Sequence, residues 1–385
     1  MVALCIDAML PALSEIGVDL NVDRPNDSQF VISSLLLGLG FGQILYGPFS
    51  DRFGRKPAVY LGLSVFLIGC LVSAEANRLS IMLLGRVLQG LGLAAPRIVC
   101  MALIRDCFKG NQMARIMSYI MLVFIITPIL APSLGQIILV FFSWRVIFWA
   151  FLFFGLFVGT WFAVRQPETL KPEHRQSLSF KRVLKGFLSV VRNRIVMGYT
   201  LAMGLISGAF LGYLNLSQPI LQIQYGLESQ FSLAFGVLAG AIGGASVLNS
   251  RLVMRFGMRR MTFWASLSTT CLSFLFAGHM IVAGDQPTLM LLMLYLGMNL
   301  FCIGILFGNM NSLAMEPLGH IAGTGAAVVG FISTLMGIPL GMIVGFSYQN
   351  SVLPLILGFG IYGSLTTWLL WSTHKRAGST AEAQS

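Results

Sequence analysis

The sequence predicts an all-α membrane protein, with 12 transmembrane helices in two six-helix bundles related by pseudo-two-fold symmetry. Three observations predict this class: the chain is 56% hydrophobic, only 10% of its 385 residues are charged, and its apolar residues fall into long runs. Soluble domains carry about 25% charged residues, and a soluble fold of this size cannot bury so much apolar surface. The same composition excludes disorder, because disordered chains are poor in hydrophobic residues.

Twelve apolar runs approach the length that crosses a bilayer, which is about 20 residues. The expected spans are 1–17, 29–49, 57–76, 80–103, 113–140, 145–164, 195–217, 230–249, 260–283, 288–312, 321–346 and 352–373. The first run is short, and the run over 113–140 is long enough to tilt or to kink at Pro128 and Pro132. No cleavable signal peptide is expected, because the start lacks a basic segment and Asp7 interrupts the apolar run.

The formal net charge of +11 comes from basic residues that the 12 spans place on one side of the membrane. Loops on that side hold 20 of the 25 Lys and Arg residues, whereas loops on the other side hold only Arg24, Arg78 and Arg145. An excess of Lys and Arg marks cytoplasmic loops, so both termini are expected in the cytoplasm. The basicity is therefore topogenic and suits contact with anionic membrane lipid, and no nucleic-acid partner is expected.

A weak internal repeat divides the chain into two halves. The tripeptide Arg-Phe-Gly follows the second span at 52–54 and the eighth span at 255–257. Six spans return the chain to its starting side, so the two copies have parallel topology, which places a substrate site near the bilayer midplane. The expected organisation is an N-terminal bundle over 1–164, a cytoplasmic linker over 165–194, a C-terminal bundle over 195–373 and a cytoplasmic tail over 374–385.

Glycines recur every fourth residue in three of the expected spans. These ladders are Gly236-Gly240-Gly244, Gly337-Gly341-Gly345 and Gly38-Gly42. Small residues at this spacing let helix backbones approach closely within lipid. The ladders therefore predict either static helix packing or surfaces that slide during conformational exchange.

Charged residues inside a bilayer are costly and need an explanation. Asp7, Arg86 and Arg97 are the deep ones, and no role is assigned to Arg97. The helical rise places Asp7 about 15 Å and Arg86 about 9 Å below the outer surface, within reach of an Arg side chain. The two residues share either a polar cavity or a static salt bridge between helices. In the first case, a change in water access or in the Arg contact loads and unloads a proton on Asp7.

Uncharged polar residues in the spans are candidates for a substrate cavity, although each alone also suits an ordinary contact between helices. They are Tyr119, Tyr199, Tyr213, Asn215, Asn299 and Asn309. The six cysteines and four histidines show no metal-ligand spacing, and the sequence contains no GxxxxGK[ST] phosphate loop. We therefore expect no metal and no cofactor, and any pumping must draw on an ion gradient. An enzyme is not expected, because no catalytic cluster falls at one depth.

The loop after the second span resembles the signature of the major facilitator superfamily, G-x-x-x-D-R-x-G-R-K. Residues 47–56 read GPFSDRFGRK, and the resemblance extends over both halves and the central linker. In that superfamily the turn latches the two halves together in one access state. The resemblance assigns this gating role to Gly47, Asp51, Arg52, Gly54, Arg55 and Lys56.

Further segments resemble drug exporters of the Bcr/CflA type. Arg86 stands in the R-x-x-Q-G motif of span 4, whose Arg is implicated in proton coupling in that family. The other matching segments are 7–13, with Met9 of the expected substrate cavity where the family has Tyr, the pair Arg105-Asp106, and 144–149. The span-5 antiporter motif, G-P-x-x-G-G, survives only in part as APSLGQ, which keeps Pro132 and Gly135 and follows Pro128.

The resemblance implies a secondary active transporter that exports lipophilic drugs in exchange for protons by alternating access. The expected location is the bacterial inner membrane, and the expected state is a monomer. The alternative is a proton-coupled or facilitative carrier of one small metabolite on the same fold.

Overall fold

The computed structural model describes residues 1–22, 24–108, 110–170, 173, 175, 180–228, 230–284 and 286–382. All regular secondary structure in these residues is helical. Ten of the described helices are long and apolar enough to cross a membrane, judged by length and composition, and Ile126–Phe141 is a shorter apolar helix. The prediction of an all-helical chain with many spans is therefore confirmed.

The chain divides into two compact units, which meet in sequence between Lys185 and Gly186. Helices of the first unit are α1 (Val2–Asp7), α2 (Leu13–Asp19), α3 (Phe30–Phe53), α4 (Arg55–Ala74), α5 (Leu79–Cys107), α6 (Gly110–Phe141) and α7 (Arg145–Arg165). The boundary falls inside α8 (Phe180–Arg192), which lies in the predicted linker. Helices of the second unit are α9 (Arg194–Gln218), α10 (Phe231–Phe256), α11 (Met258–Ala283), α12 (Leu289–Met315), α13 (Ala322–Phe346) and α14 (Leu353–Glu382).

Each unit pairs its helices in the same order. In the first unit α5 packs against α3 and α4, α4 packs against α7, and α6 packs against α1. In the second unit α12 packs against α10 and α11, α11 packs against α14, and α13 packs against α9. A sharp turn joins α3 to α4 at Gly54 (φ 112°), and a similar turn joins α10 to α11 at Gly257 (φ 77°). These positive φ values require glycine, which explains the Arg-Phe-Gly repeat.

The first apolar run is not one continuous helix. After α1 the chain forms a 3₁₀ turn over Leu10–Ala12, and α2 follows it. Pro11 has no backbone N–H to donate to the preceding turn, so an α-helix cannot continue through it without loss of a hydrogen bond. By contrast, Pro128 and Pro132 both lie inside the single helix α6. The sequence had predicted a single helix over 1–17, and the structure breaks it directly after Asp7.

Glycines bring α5 into backbone contact with both of its neighbours. A Cβ at Gly42 of α3 would lie 2.8 Å from the carbonyl oxygen of Leu91, and one at Gly62 of α4 would lie 2.7 Å from that of Gly92. A backbone oxygen cannot move away as a side chain can, so these positions exclude any larger residue. This confirms close packing at Gly38-Gly42, since Gly38 likewise meets the backbone of Val87.

The other two predicted ladders behave differently from each other. Gly337 and Gly341 pack against α9, where their Cβ positions would lie 2.8 Å from the Ser207 side chain and 2.6 Å from Leu211. At Gly240 and Gly244 an added Cβ would meet no described atom within 4 Å. The expectation of close packing is therefore wrong for Gly240 and Gly244, because glycine spacing defines a helix face but does not supply a neighbour to cover it.

Candidate functional site

Asp7 lies at the point where the first apolar run changes direction. It is the last residue of α1, only 5% exposed, and the turn at Ala8 and Met9 separates it from the 3₁₀ segment. Among the residues that the structure describes, no hydrogen bond or ion pair reaches the Asp7 carboxyl group. Asp7 is thus a nearly buried acid without a cationic partner.

Arg86 is fully buried in α5, and its guanidinium group is held by three acceptors. Its Nε donates to the carbonyl oxygen of Val31 (2.9 Å), Nη1 donates to Oε1 of Gln89 (2.8 Å), and Nη2 donates to the carbonyl oxygen of Cys5 (2.9 Å). Gln89 itself donates to the carbonyl oxygen of Gly69 (3.2 Å). The R-x-x-Q spacing therefore builds one buried network that joins α1, α3, α4 and α5.

Arg86 contacts the backbone near Asp7 and not the Asp7 carboxyl group. The two side chains form no salt bridge, although Arg86 binds the backbone of α1 at Cys5, two residues before Asp7. Cys5 lies in the last turn of a short helix, where carbonyl groups have lost their intrahelical donors. Arg86 therefore stabilises the end of α1 and leaves the Asp7 carboxyl group unpaired.

Gly135 of the partial span-5 motif packs directly against this helix break. A Cβ at Gly135 would collide with the carbonyl oxygen of Ala8, the residue that follows Asp7. The Pro132–Gly135 spacing of the partial motif thus places the glycine where α6 meets the turn. Nothing in the sequence indicated that this contact is with the segment that carries Asp7.

The turn between α3 and α4 is organised around Arg55, which is 7% exposed. Its Nη1 donates to Oδ1 of Asp51 (2.6 Å) and to Oγ of Ser50 (2.8 Å), and its Nε donates to Oδ2 of Asp106 (3.0 Å) at the end of α5. Arg55 therefore pairs with both acids that the resemblance had singled out. The side chain of Arg105 lies outside the described residues.

Glu168, which the sequence did not single out, caps the first turn of α4. Its carboxylate accepts hydrogen bonds from the backbone N–H groups of Arg55 and Lys56, each at 3.0 Å, and from Leu170 (3.0 Å). Burial opposes ionisation of Glu168, but these N–H groups outweigh it and lower the pKa of the carboxyl group. Gly54 leaves the room for this contact, because its Cβ would lie 2.5 Å from Oε2 of Glu168.

Other members of the predicted gating motif make weaker contacts. Lys56 donates from Nζ to the carbonyl oxygen of Ala163 (3.1 Å). Arg52 is exposed, with its guanidinium group 5.2 Å from the ring centre of Phe53. Gly47 accepts a hydrogen bond on its carbonyl oxygen from Oγ of Ser50 (3.2 Å).

A second charged cluster lies where α2 meets the start of α7. Asp19 forms an ion pair with Arg145 and accepts a hydrogen bond from Nε1 of Trp144 (3.1 Å). The hydrogen bond from Arg145 lowers the pKa of Asp19, against a small opposing effect of burial. Together with Glu15 and Val18 these residues line an open cleft of about 410 Å³.

Most of the predicted substrate-cavity residues make contacts between helices of one unit. In the second unit Asn309 and Asn249 exchange two amide hydrogen bonds (2.7 and 3.1 Å), and Asn299 accepts a hydrogen bond from Oγ of Ser273 on α11 (3.5 Å). Asn215 donates to the carbonyl oxygen of Gly341 at 3.5 Å.

The remaining candidates from this set are aromatic or apolar. Tyr213 stacks on Phe235 with ring centres 5.9 Å apart, and Tyr199 is buried beside the His374 ring. In the first unit Met9 is fully buried, whereas Tyr119 is 54% exposed on α6. Within the described parts of either unit, these side chains therefore do not converge on one enclosed pocket.

Comparison with known proteins identifies relatives of this chain in sequence and in fold. The profile of the Major Facilitator Superfamily matches residues 1–342. A bicyclomycin resistance protein homolog of Haemophilus influenzae is 31% identical, over 92% of this chain and 88% of the relative. Multidrug resistance protein D of Escherichia coli is 26% identical, over 85% and 81% of the two chains. A solved D-xylose-proton symporter has the same fold, with a TM-score of 0.76 at 15% identity over 96% of this chain and 94% of that structure.

Proposed function

The chain belongs to the Major Facilitator Superfamily, a family of transporters rather than enzymes, and from that premise we propose that it exports drugs in exchange for protons. The names of the two relatives, a bicyclomycin resistance homolog and a multidrug resistance protein, support drugs as the cargo. We further propose 12 spans, the broken first run and α6 being the two beyond the ten long apolar helices. The common pairing order supports two bundles related by pseudo-two-fold symmetry, over 1–164 and 195–373.

The observation that carries proton coupling is the unpaired, nearly buried carboxyl group of Asp7 at a break in its helix. A carboxyl group in apolar surroundings binds a proton more readily than one in water. Rotation of the Asp7 side chain is proposed to move the carboxyl group between apolar contacts and water. In this proposal Asp7 carries the proton, and Arg86 and Gly135 fix the backbone on either side of it.

The α3–α4 turn is proposed as a gate at the cytoplasmic face. Arg55, Asp51 and Asp106 join three helices of the first unit, and Glu168 ties the turn to the segment after α7. Such a network holds the turn in one conformation while its ionic contacts last. The superfamily resemblance supplies the proposed consequence, which is stabilisation of one access state.

The linker helix α8 is proposed to lie on anionic lipid of the cytoplasmic leaflet. Leu184, Leu188 and Val191 are exposed at helical spacing on one stripe, and the cations Lys185 and Arg192 lie on the adjoining stripe. The helix contains no acidic residue and ends just before α9 enters its span. An apolar stripe beside a basic one suits the membrane interface. We propose that the protein resides in the bacterial inner membrane as a monomer with both termini in the cytoplasm.

Inverted membrane vesicles with an acidic interior test the antiport mechanism. Chloramphenicol and other lipophilic drugs are added, and proton release is recorded for the wild type, for Asp7→Asn and for the control Glu15→Gln, whose carboxyl group is exposed. Drug-dependent release that persists in the control and disappears with Asp7→Asn is expected. Release that survives in Asp7→Asn would place the proton elsewhere. A wild type that releases no protons with any drug would favour the metabolite carrier.

A further inference from the structure

Arg97 is a charged residue in the interior of a span. Its side chain neither pairs with an acid in the described structure nor is buried. It lies in the apolar segment Leu79–Ile104 of α5, about 10 Å from the end at Ile104. Its side chain is exposed, and within the described part of the chain no hydrogen bond or ion pair reaches it. Arg86, on the same helix, is the opposite case, because its guanidinium group is fully buried and held by three acceptors.

Arg97 lies on the same side of α5 as the buried Arg86 but differs from it in exposure. Two faces of the helix are occupied, one by α3 at Gly90 and the other by α4 at Gly92. At about 100° per residue, Arg97 lies about 20° around the helix from Arg86 and about 16 Å further along it. By the same geometry Arg86 and Arg97 lie about 40° and 20° around the helix from Gly90, so both flank the interface with α3. At Arg86 this side of the helix is covered by α3 through Val31 and by α1 through Cys5, whereas Arg97 is exposed.

An unpaired guanidinium group at this depth has to face water or a ligand, because exposure to lipid would leave its charge without compensation. It is also the only exposed charged group of the described spans away from their ends. The other two interior charges, Asp7 and Arg86, are 5% and 0% exposed, and the spans of the second unit carry charged residues only near their ends. The fixed charge that the described spans expose away from their ends is therefore positive.

We propose that Arg97 is a substrate-recognition residue, and that the preferred cargo is an amphiphile that bears a carboxylate or a similar oxyanion. This inference rests on the proposed export function and narrows its substrate class. A guanidinium group offers paired N–H donors whose geometry matches a carboxylate, and it repels an ammonium group. Lipophilic cations are accordingly poor ligands for this site, and neutral molecules are intermediate.

The test measures binding, so that its outcome does not depend on proton coupling. The full chain in lipid nanodiscs is titrated by calorimetry with 1-naphthylacetate, 1-naphthylacetamide and 2-(1-naphthyl)ethylammonium, which share one aromatic framework. The variants are Arg97→Gln, Arg97→Lys and the control Arg78→Gln, which removes an exposed charge at the outer end of the same helix. The wild type is expected to prefer the carboxylate over the ammonium by about ten-fold to a hundred-fold.

The preference is expected to fall to near unity in Arg97→Gln, to remain in part in Arg97→Lys and to stay intact in Arg78→Gln. If Arg97→Gln does not fold, Arg97→Lys decides, because its altered donor geometry must still reduce carboxylate affinity several-fold relative to the amide. Equal affinity of the wild type for the three compounds, an unchanged preference in both Arg97 variants, or no binding at all would overturn the proposal. Proton release driven by a neutral drug tests the export function separately.

Discussion

Substitution of Arg86 by Met tests whether the buried guanidinium network stabilises the first unit. Methionine fills much of the same volume but leaves three acceptors, Val31 O, Cys5 O and Gln89 Oε1, without their donor. Each unsatisfied buried acceptor costs about 1–3 kcal/mol, and relief of guanidinium desolvation offsets part of the sum. The expected loss in free energy of unfolding is therefore about 3 kcal/mol. The matched control is Arg78→Met, because Arg78 is exposed at the start of the same helix.

Unfolding is followed by far-ultraviolet circular dichroism during titration with sodium dodecyl sulfate in mixed micelles. A double-mutant cycle with Gln89→Leu isolates the 2.8 Å hydrogen bond between Arg86 and Gln89, with an expected coupling of about 1–2 kcal/mol. A loss below about 1 kcal/mol in Arg86→Met, or a loss equal to that of Arg78→Met, would refute the reasoning. A coupling near zero would show that the two side chains act independently.

Two further predictions concern contacts that the sequence did not reveal. Because the pKa of Glu168 is lower in the folded protein than in the unfolded chain, its carboxylate stabilises the fold above the ordinary Glu value of about 4.3, and this contribution is lost as the pH falls below that value. The free energy of unfolding, measured from pH 7 down to pH 3, should therefore decline less steeply in Glu168→Gln than in the wild type. The exposed control Glu173→Gln should behave like the wild type. Equal declines in the two variants would contradict the capping role. Gly135→Ala should cost about 1–3 kcal/mol and impair drug-dependent proton release, because the new methyl group meets the carbonyl oxygen of Ala8. Gly240→Ala serves as its control, since the same methyl group enters open space there, and an equal effect of the two substitutions would argue against a specific contact at Ala8.

The charged residues of the α3–α4 turn show which contacts can be predicted from the local sequence and which cannot. Asp51 and Arg55 are four residues apart and flank the turn at Gly54, so their closeness follows from the short chain between them. Glu168 lies more than 100 residues further on, and only packing of α7 against α4 brings it to the backbone of Arg55 and Lys56. No local pattern identifies a capping residue that comes from such a distant segment.

Asp7 and Arg86 illustrate the same limit inside the spans. Helical rise predicts that Arg86 lies within reach of Asp7, and in the structure Arg86 meets α1 two residues before it, at Cys5. Rotation about the helix axis and the break at Pro11 depend on neighbouring helices, and they direct the guanidinium group to the Cys5 carbonyl instead of the Asp7 carboxyl. The static salt bridge, one of the two alternatives drawn from the sequence, is absent from the described structure for this reason.

The sequence by itself determined the membrane-spanning helical class, the repeat at Gly54 and Gly257 and the depth of each interior charge. These properties follow from composition, from the conformational freedom of glycine and from helical rise, all of which act locally. Tertiary structure decided which glycine ladders are covered, which acceptors hold Arg86 and why Arg97 remains open. Those outcomes depend on which neighbour occupies each face of a helix, and packing between distant segments selects that neighbour.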